Sequence, residues 1–491
     1  MSPRSPELFD PALWTDRVYR GGSWIATERR RTAVCPADGS AVGSVGVAST
    51  ADVDVAVRLA TQAQRDWAAR PFGDRAAVLR EAARLLEADR ADYVELLVAE
   101  SGSARGKAGF ELGLILAELH LGAALPLLPT GEILQSARPR LSMAARIPVG
   151  VVGVISPFNF PGVLAMRSLA PALALGNAVI LKPDPRTAIA GGLLLAALFE
   201  RAGLPAGVLS VLPGDVDVGV AIVEHPGIPV ISFTGSTAAG RRIGERAGAL
   251  LKRAHLELGG NSALVVLPDA DVDAAVRAGA WGSFLHQGQI CMTTGRHLVH
   301  SSLHERYLEG LVEAARRLEV GDPRSADVPL GPVIDERQRD HVHGLVTASV
   351  SAGATLLAGG RYRGLYYEPT VLAVTSPEQP AFAEEVFGPV APVMAFDSEE
   401  ELVEIVGRSE YGLSLGILTA DVMRGLELAR RLPSGIVHIN DQTVDDEAVA
   451  PFGGIAASGT GARFGGVAAN VEAFTHTRWI TAQGRIERYP F

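Results

Sequence analysis

The sequence predicts a mixed α/β fold in which mostly parallel sheets are covered by helices. From residue 149 onward, short apolar strands alternate with longer amphipathic segments. Strands are indicated at residues 150–156, 177–182, 208–212 and 229–234, with helices at 161–175 and 188–202. Such βαβ alternation is typical of a parallel sheet. A second alternating series begins near residue 263. A chain of 491 residues is also too long to fold around one simple hydrophobic core. We therefore expect at least two domains, with a boundary near residue 259.

The segments that flank this alternation have other patterns. Residues 1–50 carry turn signals between short strands. In residues 51–121 apolar side chains recur every three or four residues, and this spacing predicts helices. Residues 140–147 are extended and predict an edge strand or a connecting arm. Residues 477–482 alternate like an exposed strand, and an unpaired strand edge often pairs with another subunit.

Composition excludes several classes of protein. The net charge is −10 and no basic stripe is visible, which argues against a nucleic-acid partner. Two cysteines exclude a disulfide framework and a cysteine-rich metal site, so no metal is expected. The first residues lack a secretory signal, and apolar runs such as residues 147–155 are too short to span a membrane. We therefore expect a cytoplasmic protein without a membrane partner.

Cys291 is the candidate nucleophile. It lies between Gly288 and Gly295 among hydroxyl side chains, where backbone and ligand can approach closely. A thiol in such a place reacts if a neighbour lowers its pKa or removes its proton. A lone cysteine is more often a small buried apolar residue, so this residue leaves both interpretations open.

Other candidate residues follow the predicted strands, at the edge where ligands bind an open parallel sheet. Asn159 stands between two prolines and could be an oxyanion donor, although asparagine is also a common turn residue. Lys182 could bind ribose or phosphate, or be a solvated surface lysine. Gly235 and Gly240 surround a helix start that could face a pyrophosphate, or form a plain turn. Glu257, among apolar neighbours, could be a general base or a strand-end carboxylate that faces solvent.

The order of the motifs resembles the aldehyde dehydrogenase superfamily over nearly the whole chain. The motifs are Pro157-Phe-Asn-Phe-Pro, Leu181-Lys-Pro, Phe233-Thr-Gly-Ser, Glu257-Leu-Gly-Gly, Gly288-Gln-Ile-Cys, Glu385-Val-Phe-Gly-Pro and Pro451-Phe-Gly-Gly. Within the family, residues 254–262 and 284–296 look most like the bacterial benzaldehyde and vanillin dehydrogenase branch.

This resemblance implies a covalent mechanism. Cys291 adds to the aldehyde, and the Asn159 amide with the Cys291 backbone N–H holds the oxyanion of the thiohemiacetal. Hydride loss to a nicotinamide leaves a thioester, for which Glu257 activates water. The implied cofactor is NAD. NADP remains open because Pro185 stands where NAD-preferring members usually carry a glutamate.

The resemblance also implies a set of binding residues and an architecture. The cofactor-binding residues are Ser156, Phe158, Lys182, Gly235, Ser236, Gly240, Glu385 and Phe387. The substrate-pocket residues are Phe160, Leu164, Arg167, Leu285 and Phe452. We expect a Rossmann-like cofactor domain (1–127 and 148–258), an α/β catalytic domain (259–460) and a small β oligomerisation arm (128–147 and 474–491). The arm predicts a homodimer or homotetramer.

The expected activity is oxidation of an aromatic aldehyde of the benzaldehyde or vanillin type to the carboxylic acid. The alternative is a semialdehyde dehydrogenase that uses Arg167 to hold the distal carboxylate. A CoA-acylating enzyme would need no hydrolytic base, so Glu257 argues against it. A binding protein without turnover would have no use for both Cys291 and Glu257.

Overall fold

The computed structural model describes residues 8–491, so the first seven residues of the predicted cofactor domain lie outside the described part of the chain. The helices are α1 (Thr50–Ala69), α2 (Phe72–Ala88), α3 (Arg90–Ser101), α4 (Arg105–Ala124), α5 (Pro161–Ala174), α6 (Leu194–Arg201), α7 (Val216–Glu224), α8 (Thr237–Ala249), α9 (Val272–Phe284), α10 (Ser301–Arg317), α11 (Glu336–Ser351), α12 (Pro380–Ala383), α13 (Glu399–Gly407), α14 (Val422–Ala429) and α15 (Val467–Phe474). The strands are β1 (Arg17–Arg20), β2 (Ser23–Ala26), β3 (Arg30–Val34), β4 (Ala41–Gly46), β5 (Gly131–Ile133), β6 (Leu141–Pro148), β7 (Val151–Ile155), β8 (Ala178–Lys182), β9 (Leu209–Val211), β10 (Val230–Thr234), β11 (Arg253–Glu257), β12 (Ser262–Val266), β13 (Thr294–His300), β14 (Thr355–Ala358), β15 (Tyr362–Arg363), β16 (Tyr366–Tyr367), β17 (Thr370–Ala373), β18 (Val390–Phe396), β19 (Tyr411–Gly412), β20 (Ser414–Leu418), β21 (Ile436–Ile439), β22 (Ile455–Ala456) and β23 (Thr475–Ala482).

The first sheet has the strand order β11-β10-β7-β8-β9-β1-β2, and the run from β11 to β9 is parallel. β7 and β8 are buried at every residue, as expected for strands that are covered on both faces. Helices α5 and α6 follow β7 and β8, and this alternation confirms the predicted mixed α/β fold.

The second sheet has the order β14-β17-β18-β13-β12-β20-β21, parallel except for β14. Gly259 and Gly260 lie between β11 and β12, where the chain passes from the first sheet to the second. The domain limits given above remain a prediction, and each of the two large sheets falls within one of the two predicted α/β domains.

The arm is a three-stranded antiparallel sheet of order β23-β6-β5. β6 covers the segment that we expected to be an edge strand or a connecting arm. It is the central strand, because β23 pairs along its whole length and β5 pairs on the other side. Within residues 8–491, β23 is an edge strand, and Trp479 on it is 66% exposed.

One helix of the described chain is long and apolar enough to span a membrane. By length and composition alone this holds for residues Arg105–Leu127, which comprise α4 and a following 3-10 turn. However, α4 packs against α2, α3 and α5 and buries the charged side chains of Lys107, Glu111 and Glu118. It is a core helix of this fold, and these three charges become important at the site.

The helix expected at residues 188–202 begins with a π-turn, Ile189–Leu193, before α6. The buried Glu100 carboxylate accepts hydrogen bonds from the backbone N–H groups of Ile189 (2.9 Å) and Ala190 (2.7 Å). These bonds satisfy amides that a helix start leaves without intrahelical partners.

Candidate active site

The site lies at the carboxyl edge of the first sheet. The register places Ile155 opposite both Lys182 and Phe233, and Thr234 opposite Glu257. Four parallel strands therefore deliver Ser156, Lys182, Gly235 and Glu257 to one edge, which is where ligands bind an open parallel sheet.

The loop that carries Cys291 is held in a strained conformation. After α9 the chain forms a short 3-10 turn in which His286 (φ 50°) and Gln287 (φ 56°) adopt left-handed backbone angles. Gly288 follows at φ 66°, and a side chain there would collide with the carbonyl oxygen of Gly388. Such angles persist only where the surroundings enforce them, and they are concentrated at functional sites.

Side-chain amides fasten this loop to its surroundings. The Gln287 Nε2 donates to the carbonyl oxygens of Pro332 (2.7 Å) and Gly102 (3.1 Å). The Gln289 Oε1 accepts from the backbone N–H of Ile334 at 2.9 Å. The position of the thiol is therefore set by segments far away in the sequence.

Cys291 itself is partly exposed, whereas the chain's other cysteine, Cys35, is buried. Burial of its sulfur, reinforced by the negative charges of Glu385 and Glu257, raises the pKa of Cys291 to about 12, and the nearby Arg167 works in the opposite direction. At neutral pH the side chain is a thiol, so its reaction requires removal of the proton.

Asn159 is buried directly after β7, and its side chain points toward the cysteine loop. Its Nδ2 donates to the carbonyl oxygen of Gln289, two residues before Cys291, at 2.9 Å. The Lys107 Nζ donates to the Asn159 carbonyl oxygen at 2.6 Å. With its side-chain Nδ2 and its backbone carbonyl both held, Asn159 can offer the second N–H of its side-chain amide to a ligand without reorganisation.

Glu257 ends β11 and is buried against the loop that begins at Pro451. A Cβ on Gly453 would lie 2.9 Å from Glu257 Oε1, so glycine permits the close approach. Neither carboxylate oxygen has a side-chain hydrogen-bond partner among residues 8–491, and the Gly454 backbone N–H makes only a weak contact to the carboxylate. Burial raises the pKa of Glu257 well above its ordinary value, although the charges of Arg167 and Arg463 oppose the rise. The group can thus hold a proton at neutral pH.

Glu385 approaches the same region from the second sheet. Its Oε1 accepts from the backbone N–H of Gly260 at 2.9 Å, and burial raises its pKa to about 7. A side chain on Gly259 would collide with this carboxylate, and one on Gly260 would collide with the Cys291 carbonyl oxygen. The two glycines therefore let the Glu385 carboxylate and the cysteine loop pack against the backbone after β11.

The predicted cofactor residues lie along the sheet edge. Lys182 is buried, its Nζ makes only a 3.5 Å contact to the Pro183 carbonyl oxygen among the bonds of the described chain, and burial lowers its pKa. The Ser156 Oγ is buried and has no partner within residues 8–491. Ser236 caps α8, accepting from the Ala239 N–H at 3.4 Å. These groups offer one cation, one hydroxyl and a helix start to a ligand.

Two aromatic rings close this edge. Phe387, at φ 51°, meets Phe158 edge to face with ring centroids 5.9 Å apart. The Arg186 guanidinium lies 4.0 Å over the Phe158 ring and is paired with Asp184 and Asp335. Gly240 is inside α8, where a side chain would collide with Leu258, so it serves the packing of that helix on the sheet.

A small cavity, partly open to solvent, leads to the thiol. Its lining residues are Phe110, Leu114, Asn159, Phe160, Val163, Leu164, Arg167, Ile290, Cys291, Met292, Val444, Asp445, Asp446 and Phe452. Four of the five predicted pocket residues are among them. Leu285 is not among the residues that line this cavity. It is partly buried and packs against the same hydrophobic core as Leu164 and Cys291.

Arg167 faces this cavity as part of a buried ion cluster. Its Nε donates to Glu118 Oε1 at 3.3 Å, and its Nη2 donates to Asp446 Oδ2. Its guanidinium also lies 4.5 Å over the Phe452 ring. Sequence reasoning did not select Glu118 or Asp446, although a glutamate in the apolar α4 was a signal that some buried partner exists.

Comparison with known proteins agrees with this geometry. The model of the aldehyde dehydrogenase family matches residues 24–480. The chain belongs to the aldehyde dehydrogenase family. It is 60% identical over 485 residues (99% of this chain and 100% of the relative) to a protein named vanillin dehydrogenase from Amycolatopsis sp.. It is 50% identical, with 99% and 100% covered, to a benzaldehyde dehydrogenase [NAD(+)] from Pseudomonas putida.

Solved structures of similar proteins share the whole fold. An NADP-dependent enzyme from E. coli matches with a TM-score of 0.93 at 30% identity, over 96% of this chain and 99% of that chain. The resemblance that the ordered motifs indicated is therefore confirmed, for the aldehyde dehydrogenase family and for its similarity to the benzaldehyde and vanillin dehydrogenases.

Proposed function

We propose that this aldehyde dehydrogenase oxidises aromatic aldehydes to carboxylic acids with NAD or NADP. The observation that carries the proposal is the cavity, whose mostly apolar walls, with the rings of Phe110, Phe160 and Phe452, end at Cys291 beside Asn159. Apolar and aromatic walls with a few fixed polar groups suit a flat ring. The similarity to proteins named vanillin and benzaldehyde dehydrogenase supports the same substrate class.

In the first half-reaction, the Cys291 sulfur adds to the aldehyde carbon, and the thiol proton is released to solvent. The carbonyl oxygen becomes an oxyanion that the second N–H of the Asn159 amide and the Cys291 backbone N–H hold. Donors fixed before the reaction stabilise this charge without reorganisation, and one such donor contributes about 10²- to 10³-fold to the rate. A hydride then departs from the same carbon, and a thioester on Cys291 remains.

In the second half-reaction, Glu257 takes a proton from a water molecule that attacks the thioester carbon. The C–S bond breaks, the acid leaves, and the sulfur recovers a proton. The sum is one aldehyde and one water converted to one acid, with two electrons and one proton passing to the oxidised cofactor and one proton to solvent. The raised pKa of Glu257 makes its deprotonated carboxylate a stronger base than an ordinary glutamate, so it can take the proton from water once it has lost its own.

The residues at the carboxyl edge of the first sheet fit a dinucleotide. Lys182 and Ser156 present buried polar atoms with few or no partners within residues 8–491, and Ser236 begins α8, where an anion is favoured. Glu385 and Phe387 complete the site nearer to the thiol. The nicotinamide, when bound, accepts the hydride. The Arg186 guanidinium at this edge is already paired with Asp184 and Asp335.

The alternative, a semialdehyde substrate held by Arg167, is less supported. Arg167 already faces two carboxylates, Glu118 and Asp446, and Asp445 lines the same cavity. A substrate carboxylate would bring one more negative charge to Arg167, which already has two carboxylate partners. Like charges that cannot separate or hydrate destabilise one another strongly.

We also propose that the protein is a cytoplasmic homo-oligomer. The arm sheet exposes Ile133 (81%), Leu141 and Trp479 to solvent in the single chain. Apolar side chains on a free strand edge are a common mark of subunit contact. Sedimentation would settle this, and a monomer at micromolar concentration would remove the proposal; the choice between dimer and tetramer is left to the same measurement.

A small substrate panel tests the proposed activity. NADH or NADPH formation is followed with benzaldehyde, vanillin and succinic semialdehyde, each with NAD and with NADP. We expect the two aromatic aldehydes to have the higher kcat/KM, and Cys291→Ala to abolish turnover. A preference for succinic semialdehyde would overturn the assignment, and a requirement for CoA would overturn the role of Glu257.

A further inference from the structure

Five residues beside the proposed cofactor site form a closed ring of contacts. The Arg186 guanidinium lies 4.0 Å over the Phe158 ring, and that ring meets Phe387 edge to face with centroids 5.9 Å apart. The Gln338 Nε2 donates to the Phe387 carbonyl oxygen at 2.9 Å, and the Gln338 backbone N–H donates to the Asp335 Oδ1 at 2.8 Å. The Arg186 Nη1 donates to the Asp335 Oδ2 at 2.8 Å and closes the ring. Each of the five residues therefore has its position set by two others.

The ring joins the two large sheets. Phe158 and Arg186 follow β7 and β8 of the first sheet, and Phe387 precedes β18 of the second. Asp335 caps α11, which shares a hydrophobic core with residues of β12, β13 and β18. The ring thus crosses from one side to the other at two points, the aromatic pair Phe158–Phe387 and the ion pair Arg186–Asp335.

The backbone of Phe387 is held in an unusual conformation within this ring. Its φ of 51° lies in the left-handed region, which is uncommon for a bulky residue and persists only where the surroundings enforce it. The Gln338 amide supplies such a restraint, since it also approaches the Val386 carbonyl oxygen at 3.4 Å. The position of the Phe387 ring against Phe158 therefore depends on the start of α11, where Arg186 binds Asp335.

The ion pair is able to open and close. The Arg186 and Asp335 side chains are 36% and 34% exposed, so water can replace either partner. Arg186 also pairs with Asp184 at 2.9 Å, and this second partner keeps the guanidinium neutralised when the contact to Asp335 is broken. Opening the pair therefore leaves no buried charge alone.

We propose that the Arg186–Asp335 ion pair is a latch that holds the two sides of the cofactor site together and slows the release of the reduced cofactor. Phe158 and Phe387 are the rings expected to contact the cofactor, and the closed latch keeps them together. When the latch opens, only the aromatic pair of this ring still joins the two sides. This inference rests on the proposed position of the cofactor along the carboxyl edge of the first sheet.

The chain contains a matched ion pair in another place. Arg324 repeats the arrangement of Arg186, because it pairs with the aspartate two residues earlier, Asp322, at 2.7 Å and with a distant aspartate, Asp38, at 2.8 Å. Asp38 lies between β3 and β4. Within residues 8–491, the side-chain bonds of Asp38 and Asp322 reach no predicted cofactor residue. Asp38→Asn is therefore a control with the same loss of charge and the same kind of remaining partner.

The test measures how fast the reduced cofactor leaves the intact enzyme. NADH bound to each variant is displaced by excess NAD in a stopped-flow instrument, and its fluorescence is followed; NADPH and NADP are used if the wild type binds NADPH more tightly. Asparagine is as good an N-cap as aspartate, so Asp335→Asn removes the charge and keeps the start of α11. We expect Asp335→Asn to release NADH about twofold to fivefold faster, the range for a partly exposed ion pair, and Asp38→Asn to release it at the wild-type rate.

A double variant shows whether the two residues act as one unit. Arg186→Met removes the other half of the latch and should also accelerate release. Combining it with Asp335→Asn should accelerate release no further, because both changes break the same contact. Urea midpoints of all variants are measured in parallel, and Asp335→Asn and Asp38→Asn should lower them similarly. Arg186→Met decides the test if Asp335→Asn fails to fold.

Faster release in Asp335→Asn and Arg186→Met, without further gain in the double variant, supports the latch. Unchanged release in both single variants, an equal acceleration by Asp38→Asn, or additive effects in the double variant would show that the pair only stabilises the fold, and would overturn the inference while the proposed function stands. A wild-type enzyme that binds neither NADH nor NADPH overturns the proposed function, and the inference with it.

Discussion

Lys107 is a buried cation that ties α4 to the loop of Asn159. Its Nζ donates to the Glu111 Oε2 and to the Asn159 carbonyl oxygen, each at 2.6 Å, and lies 4.0 Å over the Phe160 ring. The other Glu111 oxygen accepts from the backbone N–H of Gly162 at 2.8 Å, at the start of α5. Lys107 therefore acts as a positioning residue for Asn159, and Lys107→Met is the change that tests it.

The expected magnitudes follow from these contacts. Lys107→Met leaves the Glu111 carboxylate buried without its cation, and breaking a buried pair costs about 3–5 kcal/mol of unfolding free energy. Lys107→Met combined with Glu111→Gln removes both charges, and the amide oxygen can still accept from Gly162. We expect the double variant to recover most of the lost stability. In both variants the Asn159 carbonyl loses its partner, and a shift of ~1 Å in a catalytic group can cost ~10²-fold in rate.

The assay therefore separates stability from positioning. Urea midpoints and kcat with benzaldehyde are measured for the wild type, the single variant and the double variant. The control is Arg317→Met, which breaks an exposed pair with Glu313 on α10 and should change neither quantity measurably. A double variant with wild-type kcat would refute the positioning role. A double variant as unstable as the single one would refute the explanation from the unpaired charge.

Three further predictions concern ionisable groups at the site. Glu257→Gln should keep a burst of reduced cofactor in rapid mixing but slow the steady state, since only the water attack loses its base; absence of the burst would contradict a purely hydrolytic role. The rate of Cys291 alkylation by iodoacetamide should rise about tenfold per pH unit between pH 7 and 9, because the pKa of the thiol is about 12. Mass spectrometry measures the alkylation, with Cys291→Ala as the control. A rate that does not change with pH would show that the thiolate already exists at neutral pH. Burial raises the pKa of Glu118 from 4.5 to about 7. Between these two pH values the native state holds a proton that the unfolded chain releases. The resulting contribution to the free energy of unfolding, about 3 kcal/mol, is present below pH 4.5 and is lost as the pH rises through 7. Glu118→Gln should flatten that fall in the urea midpoint between pH 5 and 8, and an equally steep fall in the variant would contradict the assignment.

Much of the fold was accessible from local patterns. A strand that is buried on both faces must be apolar throughout, and a helix on a sheet must repeat its apolar side chains at three and four, so alternation of the two patterns predicted the parallel sheets. The segment around β6 shows the limit. Its extended character was evident, but its central place was not, because the partner strand β23 lies more than 300 residues away.

The placement of several candidate residues at strand ends was predictable from local patterns. Asn159 follows β7, Lys182 and Glu257 end β8 and β11, and the carboxyl ends of parallel strands meet at one edge whatever the rest of the chain does. Cys291 could be placed beside them only by the resemblance of the ordered motifs. Its chemistry depends on a turn with left-handed angles at His286 and Gln287. Histidine is enriched at such angles among non-glycine residues, but two such residues in succession are not predictable from residue type.

By itself, then, the sequence determined the α/β class, the family resemblance and the residues that end the strands, because these depend on periodicity and on contiguous motifs. The tertiary structure alone decided the surroundings of Arg167. Its partners Glu118 and Asp446 lie 49 and 279 residues away. The physical reason is that the contacts of a buried side chain depend on which helices and loops pack together in three dimensions, and the local pattern of residues reports only which face is buried.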